Sequence, residues 1–285
     1  MFKHNLLAIS SVCIILLAVF SSCDSEPIYY DDAEYVMFSD SVAVVPVVTD
    51  EEYIDFHIAS TVSRPYDRHF AVEVLENQSN VVEGFHYEIE NPNVFIKAGE
   101  KSGTIRIKGL YDNVRSTDSL SLQLRLLASD EVISDLYGDR MRVMFQKCYP
   151  LNIDDYTGNL LMYASFPFSS SIKTYLRKAE KRTENSLVIS APFSYGYDMI
   201  LYFDGSDPLY PLVTVKEHYS MIDTNYGKVS ARTVDHTPSF FDGENRRIYL
   251  KMEFYVRGMG NFGVNGFVFE WITPEEAELF ENGIL

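Results

Sequence analysis

The chain has 285 residues, of which 41 are acidic and 24 are lysine or arginine, so its formal net charge at pH 7 is −17. This charge repels phosphate backbones and anionic lipid headgroups, so we predict no nucleic acid partner. A chain of this length can bury a core large enough to fold without disulfides.

The first 22 residues have the layout of a secretory signal peptide. Lys3 supplies a positive start, residues 6–20 contain no charged side chain, and two serines precede Cys23. A membrane-spanning helix needs roughly 20 apolar residues, so this run is too short to be a stable span. We therefore predict that residues 1–22 are removed during export.

The segment Phe20-Ser21-Ser22-Cys23 resembles the lipobox of Gram-negative lipoproteins, in which the cysteine is diacylated and the chain is cut just before it. The resemblance implies lipidation of Cys23 and anchoring to the membrane through that lipid, because two or more acyl chains hold a soluble domain stably to a bilayer. A plain signal peptide with a chance cysteine is the alternative.

Residues 23–34 form an acidic tether, DSEPIYYDDAE after the cysteine. This stretch resembles the acidic signal that directs surface export of Bacteroidetes-type lipoproteins. The resemblance implies an outer-membrane protein anchored by its lipid, with the cell surface favoured over the periplasmic face.

Cysteine usage leaves one thiol in the mature chain. Cys13 lies in the leader and Cys23 is consumed by lipid, so Cys148 remains. It follows an alternating apolar segment, where a lone thiol is more often a small buried hydrophobe than a nucleophile. We predict no disulfide and no catalytic role for Cys148.

Residues 35–147 alternate between apolar and polar side chains along several short segments. The strictest series is Leu120, Leu122, Leu124 and Leu126. A period of two is typical of a half-buried strand. About seven such segments, separated by turn residues, predict an all-β protein that begins with an antiparallel, immunoglobulin-like β-sandwich.

Residues 81–113 resemble the middle of a Calx-beta sandwich, through the turn Lys97-Ala98-Gly99-Glu100 and the strand that follows it. The resemblance implies that fold for residues 35–147. His86 and Asn113 stand where the family has aspartates, and calcium prefers several oxygen ligands. We therefore predict no metal site.

Residues 150–285 form a second unit after Cys148-Tyr149-Pro150. Its strands are rich in aromatic and β-branched residues, which predicts a second antiparallel β-sandwich or a barrel. At the end of the chain, Thr273 is an N-cap candidate before Pro274, two acids follow, and Gly283 offers a stop. This pattern predicts one short C-terminal helix.

Catalytic motifs are weak in this sequence. It contains no G-x-S-x-G, H-E-x-x-H, Walker or C-x-x-C pattern, and its histidines are not at metal-ligand spacing. A carboxylate pair on distant loops stays open as an alternative. We predict a protein that is not an enzyme and that needs no cofactor.

Two tyrosine-bearing loops give the ligand-binding candidates, which are Tyr195, Tyr197, Asp204, Asp207 and Tyr210. Aromatic rings can stack on apolar sugar faces while carboxylates accept hydroxyl hydrogen bonds. The alternative is that these tyrosines pack in or beside the core and the acids form ordinary turns. Trp271 is predicted to be core.

Together these features resemble uncharacterised two-domain lipoproteins of Bacteroidetes-type bacteria, with a Calx-beta-like unit followed by a β domain of unknown function. That resemblance implies a non-catalytic envelope protein that binds a glycan or another outer-membrane protein. The alternatives are a structural subunit of an outer-membrane assembly and an anchored hydrolase.

Overall fold

The computed structural model describes residues 33–128, 132, 138–167 and 170–284. The predicted leader, the lipidation site Cys23 and residues 23–32 of the predicted tether lie outside these ranges. Across the described ranges, no helix is long and apolar enough to cross a membrane.

The first unit is a sandwich of two sheets built from nine strands. Their bounds are Val36–Phe38 (β1), Val42–Val47 (β2), Ile54–Ser60 (β3), Arg68–Val74 (β4), Tyr87–Ile89 (β5), Asn93–Ile96 (β6), Ser102–Gly109 (β7), Leu120–Leu127 (β8) and Arg140–Lys147 (β9). One sheet has the order β1-β3-β7-β5 and the other the order β2-β9-β8-β4-β6. The predicted all-β sandwich is confirmed.

The core of the sandwich is formed by side chains that alternate between buried and exposed positions along its strands. Leu122, Leu124 and Leu126 are buried between the sheets, as their spacing predicts. Two features differ from the sequence prediction. The sandwich has nine strands where about seven are predicted, and the short strands β1 and β5, with three residues each, carry too few positions to show a period of two. In addition, β2 pairs with β9 in parallel, while the other described pairs of this unit are antiparallel.

The second unit contains ten strands. Their bounds are Gly158–Ala164 (β10), Lys173–Thr183 (β11), Ser186–Ile189 (β12), Met199–Asp204 (β13), Leu212–Thr214 (β14), His218–Asp223 (β15), Gly227–Thr233 (β16), Phe240–Asp242 (β17), Arg247–Val256 (β18) and Gly260–Trp271 (β19). Eight of them form a closed ring, β10-β11-β12-β13-β14-β17-β18-β19, in which β19 pairs with both β18 and β10. The hairpin β15–β16 attaches to β18. The second unit is therefore a barrel rather than a sandwich.

Aromatic side chains fill the barrel. The ring of Tyr156 lies 5.2 Å from both Phe203 and Trp271, measured between centroids. Trp271 is buried, which confirms its predicted place in the core. Tyr156 donates its hydroxyl hydrogen bond to the carbonyl of Asp242 at 3.1 Å, so the buried phenol is satisfied.

The predicted C-terminal helix, α1, spans Pro274–Glu281. Thr273 Oγ1 accepts a hydrogen bond from the Glu276 backbone N–H at 3.2 Å, and Glu276 Oε2 accepts one from the Thr273 N–H at 2.7 Å. This reciprocal capping satisfies two backbone donors that the helix leaves unpaired. The structure therefore confirms the helix start that the sequence indicates.

The chain enters and leaves the sandwich at opposite ends. At the entry, Val36 of β1 pairs with Ser60, the last residue of β3. At the exit, Val47 of β2 pairs with Lys147, the last residue of β9, just before the linker to the barrel. Glu34, which the sequence places in the tether, is buried at the entry end. The barrel therefore follows the sandwich at the end away from the tether.

Candidate functional site

The two units meet where linker residues 148–151 pass the turn between β17 and β18. Glu244 of this turn accepts a hydrogen bond from the sandwich residue Ser116 at 2.7 Å and from the linker residue Tyr149 at 3.0 Å. A Cβ added to Gly243 would lie 2.6 Å from the Cβ of Tyr149. Because that approach is too close for any side chain, glycine is required here for the turn to contact the linker.

A cavity of about 510 Å³ opens beside this contact. Its volume falls within the roughly 300 to 1,000 Å³ of small-ligand pockets, which occur preferentially at domain interfaces. Its apolar lining comes from both units: Val44, Leu120 and Met144 from the sandwich, and Pro211 and Phe240 from the barrel. Its charged lining consists of Asp118, Lys147, Asp242 and Glu244.

Lys147 and Tyr149 are held in place at this cavity. Lys147 Nζ donates to the Tyr111 carbonyl at 3.0 Å and lies 3.9 Å from the centroid of the same tyrosine ring. Burial, and then the hydrogen bond to Glu244, raises the pKa of Tyr149. Its phenol therefore stays protonated at neutral pH and remains a donor. Besides Lys147, the charged groups that line this cavity are the carboxylates Asp118, Asp242 and Glu244.

An exposed ring, Phe240, lines the cavity on the barrel side and stacks on the half-buried Tyr249. The Phe240 and Tyr249 rings are stacked, with centroids 4.8 Å apart and planes inclined by 26°. Phe240 is 43% exposed. The register of the barrel places Asp204, Leu212, Phe240 and Tyr249 in one row across four neighbouring strands. Adjacent strands lie about 4.8 Å apart, so Asp204 and Phe240, which are two strands apart in this row, are separated by about 10 Å.

A second cavity, of about 520 Å³, shares Tyr149 and Phe241 with the first. Asp204, Gly205 and Ser206 form part of its lining. Hydrogen bonds from Ser206 hold the pKa of Asp204 below its usual range, so this carboxylate is ionised at neutral pH. The linker thus runs between two adjoining cavities that both expose carboxylates and aromatic carbon. We call these two cavities together the linker cleft.

Three of the predicted ligand-binding residues lie at this end of the barrel. Asp204 lines the second cavity, and Tyr210, which is 70% exposed, precedes the cavity-lining Pro211. Asp207 Oδ1 accepts the backbone hydrogen bond of Leu209 at 2.9 Å, as in an ordinary turn. The binding role of these residues stays a prediction.

The other two predicted residues, Tyr195 and Tyr197, lie in the loop at the opposite end of β13. A strand of six residues separates the two loops by about 17 Å. Tyr195 is 96% exposed, Tyr197 is half-buried, and the buried Phe193 holds their loop against Phe254. The five candidates therefore do not form one platform, and Tyr195 and Tyr210 do not belong to the core.

Sequence reasoning missed Phe240, Tyr249 and Glu244. A signal for Phe240 was present, since two adjacent aromatic residues in a strand must face opposite sides. Phe241 is buried in the barrel and Phe240 faces outward. The sequence carries no comparable signal for Glu244, because its partners Ser116 and Tyr149 are distant along the chain.

The described residues offer little for covalent or metal chemistry. Burial raises the pKa of Cys148 to about 11, so this thiol stays protonated, as predicted for a buried hydrophobe. Within the described ranges, no group of three or more His, Cys, Asp or Glu side chains is placed to hold a metal ion. The site is suited to non-covalent contacts with apolar faces and hydroxyl groups.

No protein-family model and no curated protein matches this chain. Solved structures with a similar fold exist. A protein of unknown function from Bacteroides ovatus is 9% identical, with a TM-score of 0.35, over 84% of this chain and 95% of that one. The apo form of the Calx CBD1 domain is 13% identical, with a TM-score of 0.33, over 41% of this chain and 98% of that domain.

An auxiliary nutrient binding protein from Bacteroides thetaiotaomicron is also similar. It is 14% identical, with a TM-score of 0.29, over 81% of this chain and 89% of that one. A Calx domain and Bacteroides proteins of unknown function are thus among the structural neighbours, as the sequence resemblance predicts. Similarities of this strength do not assign a function to the chain.

Proposed function

We propose that this chain is a non-catalytic, lipid-anchored binding protein of the cell envelope and that it takes a glycan in the linker cleft. The observation that carries the proposal is the exposed ring of Phe240, stacked on the half-buried Tyr249, in a cavity lined with carboxylates. Anchoring through Cys23 to the outer membrane, at the cell surface, is the part of the proposal that rests on the sequence.

The cleft supplies the two kinds of contact that a sugar needs. Phe240 of the barrel and Met144 of the sandwich both offer apolar carbon to the cavity, against which the C–H face of a sugar ring can pack. Asp118, Glu244 and the nearby Asp204 are carboxylates that accept hydrogen bonds from hydroxyl groups. A charged acceptor makes a stronger hydrogen bond than a neutral one.

Hydrolysis is the second candidate, because Asp118 and Glu244 line the same cavity and a glycosidase uses two carboxyl groups. A glycosidase also needs a carboxyl group whose pKa is raised so that it can act as the acid. In the adjoining cavity, hydrogen bonds from Ser206 lower the pKa of Asp204, so this carboxylate is suited to accept a hydrogen bond and not to act as the acid.

A glycan panel tests the proposal. Mature protein carrying Cys23→Ser is screened for binding, and every positive sugar is measured by calorimetry with the Phe240→Ala variant. We expect Phe240→Ala to weaken binding by more than about 1 kcal/mol. The matched control is Phe85→Ala, which removes an exposed ring from a sandwich loop and leaves binding unchanged. Reaction products favour the hydrolase, and no binding to any sugar contradicts the proposal.

A further inference from the structure

One face of the sandwich differs in composition from the rest of this acidic chain. The sheet β2-β9-β8-β4-β6 presents three arginines on its outer side, Arg125, Arg140 and Arg142. The exposed apolar side chains Val42, Leu127, Met144 and Phe95 belong to the same face. An exposed arginine can bind an anionic group, and neighbouring apolar carbon can pack against the rest of a ligand.

The arginines are arranged unfavourably for a surface that has no ligand. Arg125 on β8 lies directly opposite Arg140 on β9, and like charges in that position destabilise a strand pair. Glu73 neutralises Arg125 through contacts that include an Nε to Oε2 distance of 2.8 Å. Arg140, with its side chain 54% exposed, is 3.9 Å from the neighbouring Asp139, at the limit of an ion pair.

Arg142 lies two residues further along β9, on the same face as Arg140. In the part of the chain that the structure describes, Arg142 forms no ion pair. Residues at positions i and i+2 of a strand are about 6.6 Å apart, so the two exposed arginines leave neighbouring positions on the same face of β9. Each guanidinium can bind a carboxylate or sulfate group with two parallel hydrogen bonds.

The same strand connects this pair to the linker cleft. Arg140, Arg142, Met144 and Gln146 alternate along the outer side of β9, and the last two line the first cavity. The distance from Met144 to Arg140 along the strand is about 13 Å, which is four residues of extended chain. A ligand that lies in the cleft and continues along β9 therefore reaches both arginines.

We infer that Arg140 and Arg142 form an anion subsite, and that the cleft's ligand is an acidic oligosaccharide whose carboxylate or sulfate groups bind there. This inference rests on the proposed glycan function of the cleft. Uncharged sugars lie between Met144 and Phe240, beside the carboxylates of the cavity, and the anionic sugars lie on β9. The opposite charges at the two ends fix the direction of the ligand.

The negative charge of the whole chain does not prevent this binding. At physiological ionic strength the screening length is about 8 Å, so charges further away act weakly on a ligand bound at the surface. Of the acidic side chains described on this face, Glu73 is paired with Arg125, and Asp139 lies 3.9 Å from Arg140. Two guanidinium groups beside one carboxylate leave a net positive charge on this part of β9.

Matched oligosaccharides test the inference. Mature protein carrying Cys23→Ser is titrated with polygalacturonate, hyaluronate and alginate fragments, each paired with its carboxyl-reduced form, which has the same backbone without the charge. We expect at least one acidic fragment to bind about tenfold or more tightly than its reduced form, with the difference shrinking as salt is added. The double variant Arg140→Gln/Arg142→Gln should remove that difference and leave binding of the reduced form unchanged.

Arg106→Gln is the control variant, because Arg106 is an exposed arginine on the outer side of the other sheet. It should bind like the native protein, and thermal melts should show that the double variant is folded. If acidic and reduced fragments bind equally, the anion subsite is wrong and the proposed function stands. If no fragment binds, the anion subsite and the proposed function are both wrong for these sugars. The native protein and the double variant are also tested with anionic vesicles. Vesicle binding that the double variant loses would overturn the inference in favour of a lipid surface.

Discussion

Glu34 and Arg68 form a buried ion pair at the entry end of the sandwich, with both side chains only 5% exposed. Arg68 also donates to Ser60 Oγ at 2.8 Å and to the Val62 carbonyl at 3.0 Å. Arg64 donates to the second oxygen of Glu34 at 3.2 Å. The first residues of the folded part are therefore held by charge as well as by strand pairing.

Removing one partner of this pair should destabilise the sandwich strongly. Glu34→Ala leaves the guanidinium of Arg68 buried without its counter-charge, which costs about 3 to 5 kcal/mol of unfolding free energy. Urea unfolding measures the loss. The control, Glu180→Ala, breaks an exposed ion pair and should have a much smaller effect. A loss for Glu34→Ala as small as that of the control would contradict the prediction.

The same pair makes stability depend on pH. Burial alone raises the pKa of Glu34, but hydrogen bonds from Arg68, Ser60 and Arg64 outweigh burial and leave the pKa below its ordinary value of 4.5. Between that value and the lower folded-state pKa, the unfolded chain binds more protons than the folded chain, so stability falls as pH falls.

Glu34→Gln cannot titrate at this position, so its stability deficit should be largest at neutral pH and should shrink in acid. Urea unfolding of both proteins from about pH 7 to about pH 3 tests this expectation. A deficit that does not change with pH would show that the Glu34 charge is not responsible.

Substitutions in the two tyrosine loops should differ in their effect on glycan affinity. Tyr195→Ala and Tyr210→Ala should barely change the melting temperature, because both rings are exposed. Loss of a buried aromatic side chain would instead lower the free energy of unfolding by roughly 3 to 5 kcal/mol. Tyr210→Ala should weaken glycan binding because Tyr210 borders the cleft, whereas Tyr195→Ala should not. Equal losses of affinity in both variants would place the ligand elsewhere.

A side chain at residue 243 should disturb the junction of the two units. Gly243→Ala places a methyl group against Tyr149, so the turn must move and the hydrogen bonds to Glu244 must lengthen. We expect reduced glycan affinity with a small change in melting temperature, since the two cores are separate. Gly266→Ala is the control, because Gly266 does not line the cleft and its added Cβ meets only the Lys251 side chain, which can move.

Lipidation gives the prediction that rests most directly on the sequence. Cys23→Ser should leave the fold intact and release the protein from membranes, because the acyl chains supply most of the anchoring free energy. Sedimentation of outer membranes in high salt measures the partition. Retention of the variant in the membrane pellet under those conditions would refute the lipobox interpretation.

Local signals were sufficient for the parts of the fold that depend on neighbouring residues. The alternation of Leu122 and Leu124 predicts a sandwich strand, and Thr273 with Glu276 predicts the start of α1. Barrel closure was left open by the sequence because it depends on β19 pairing with β10, which lies far earlier in the chain.

The candidate site shows the same limit. Asp204 and Tyr210 were found because their loop has a recognisable composition, and the structure places them near the cleft. Phe240 and Glu244 acquire their importance from contacts with Tyr249, Ser116 and Tyr149, and no local pattern contains those partners. A site at a junction of two units is a property of their packing.

The parallel pairing of β2 with β9 determines how the sandwich responds to mechanical force. The chain passes from the short strand β1 into β2, leaves after β9, and β2 and β9 are paired in register from Val42 with Arg142 to Val47 with Lys147. A pull on the barrel, with the entry end held, slides the two strands past each other along their length. Their interstrand hydrogen bonds must then yield together instead of opening one by one, so the sandwich should resist extension even though each bond is weak.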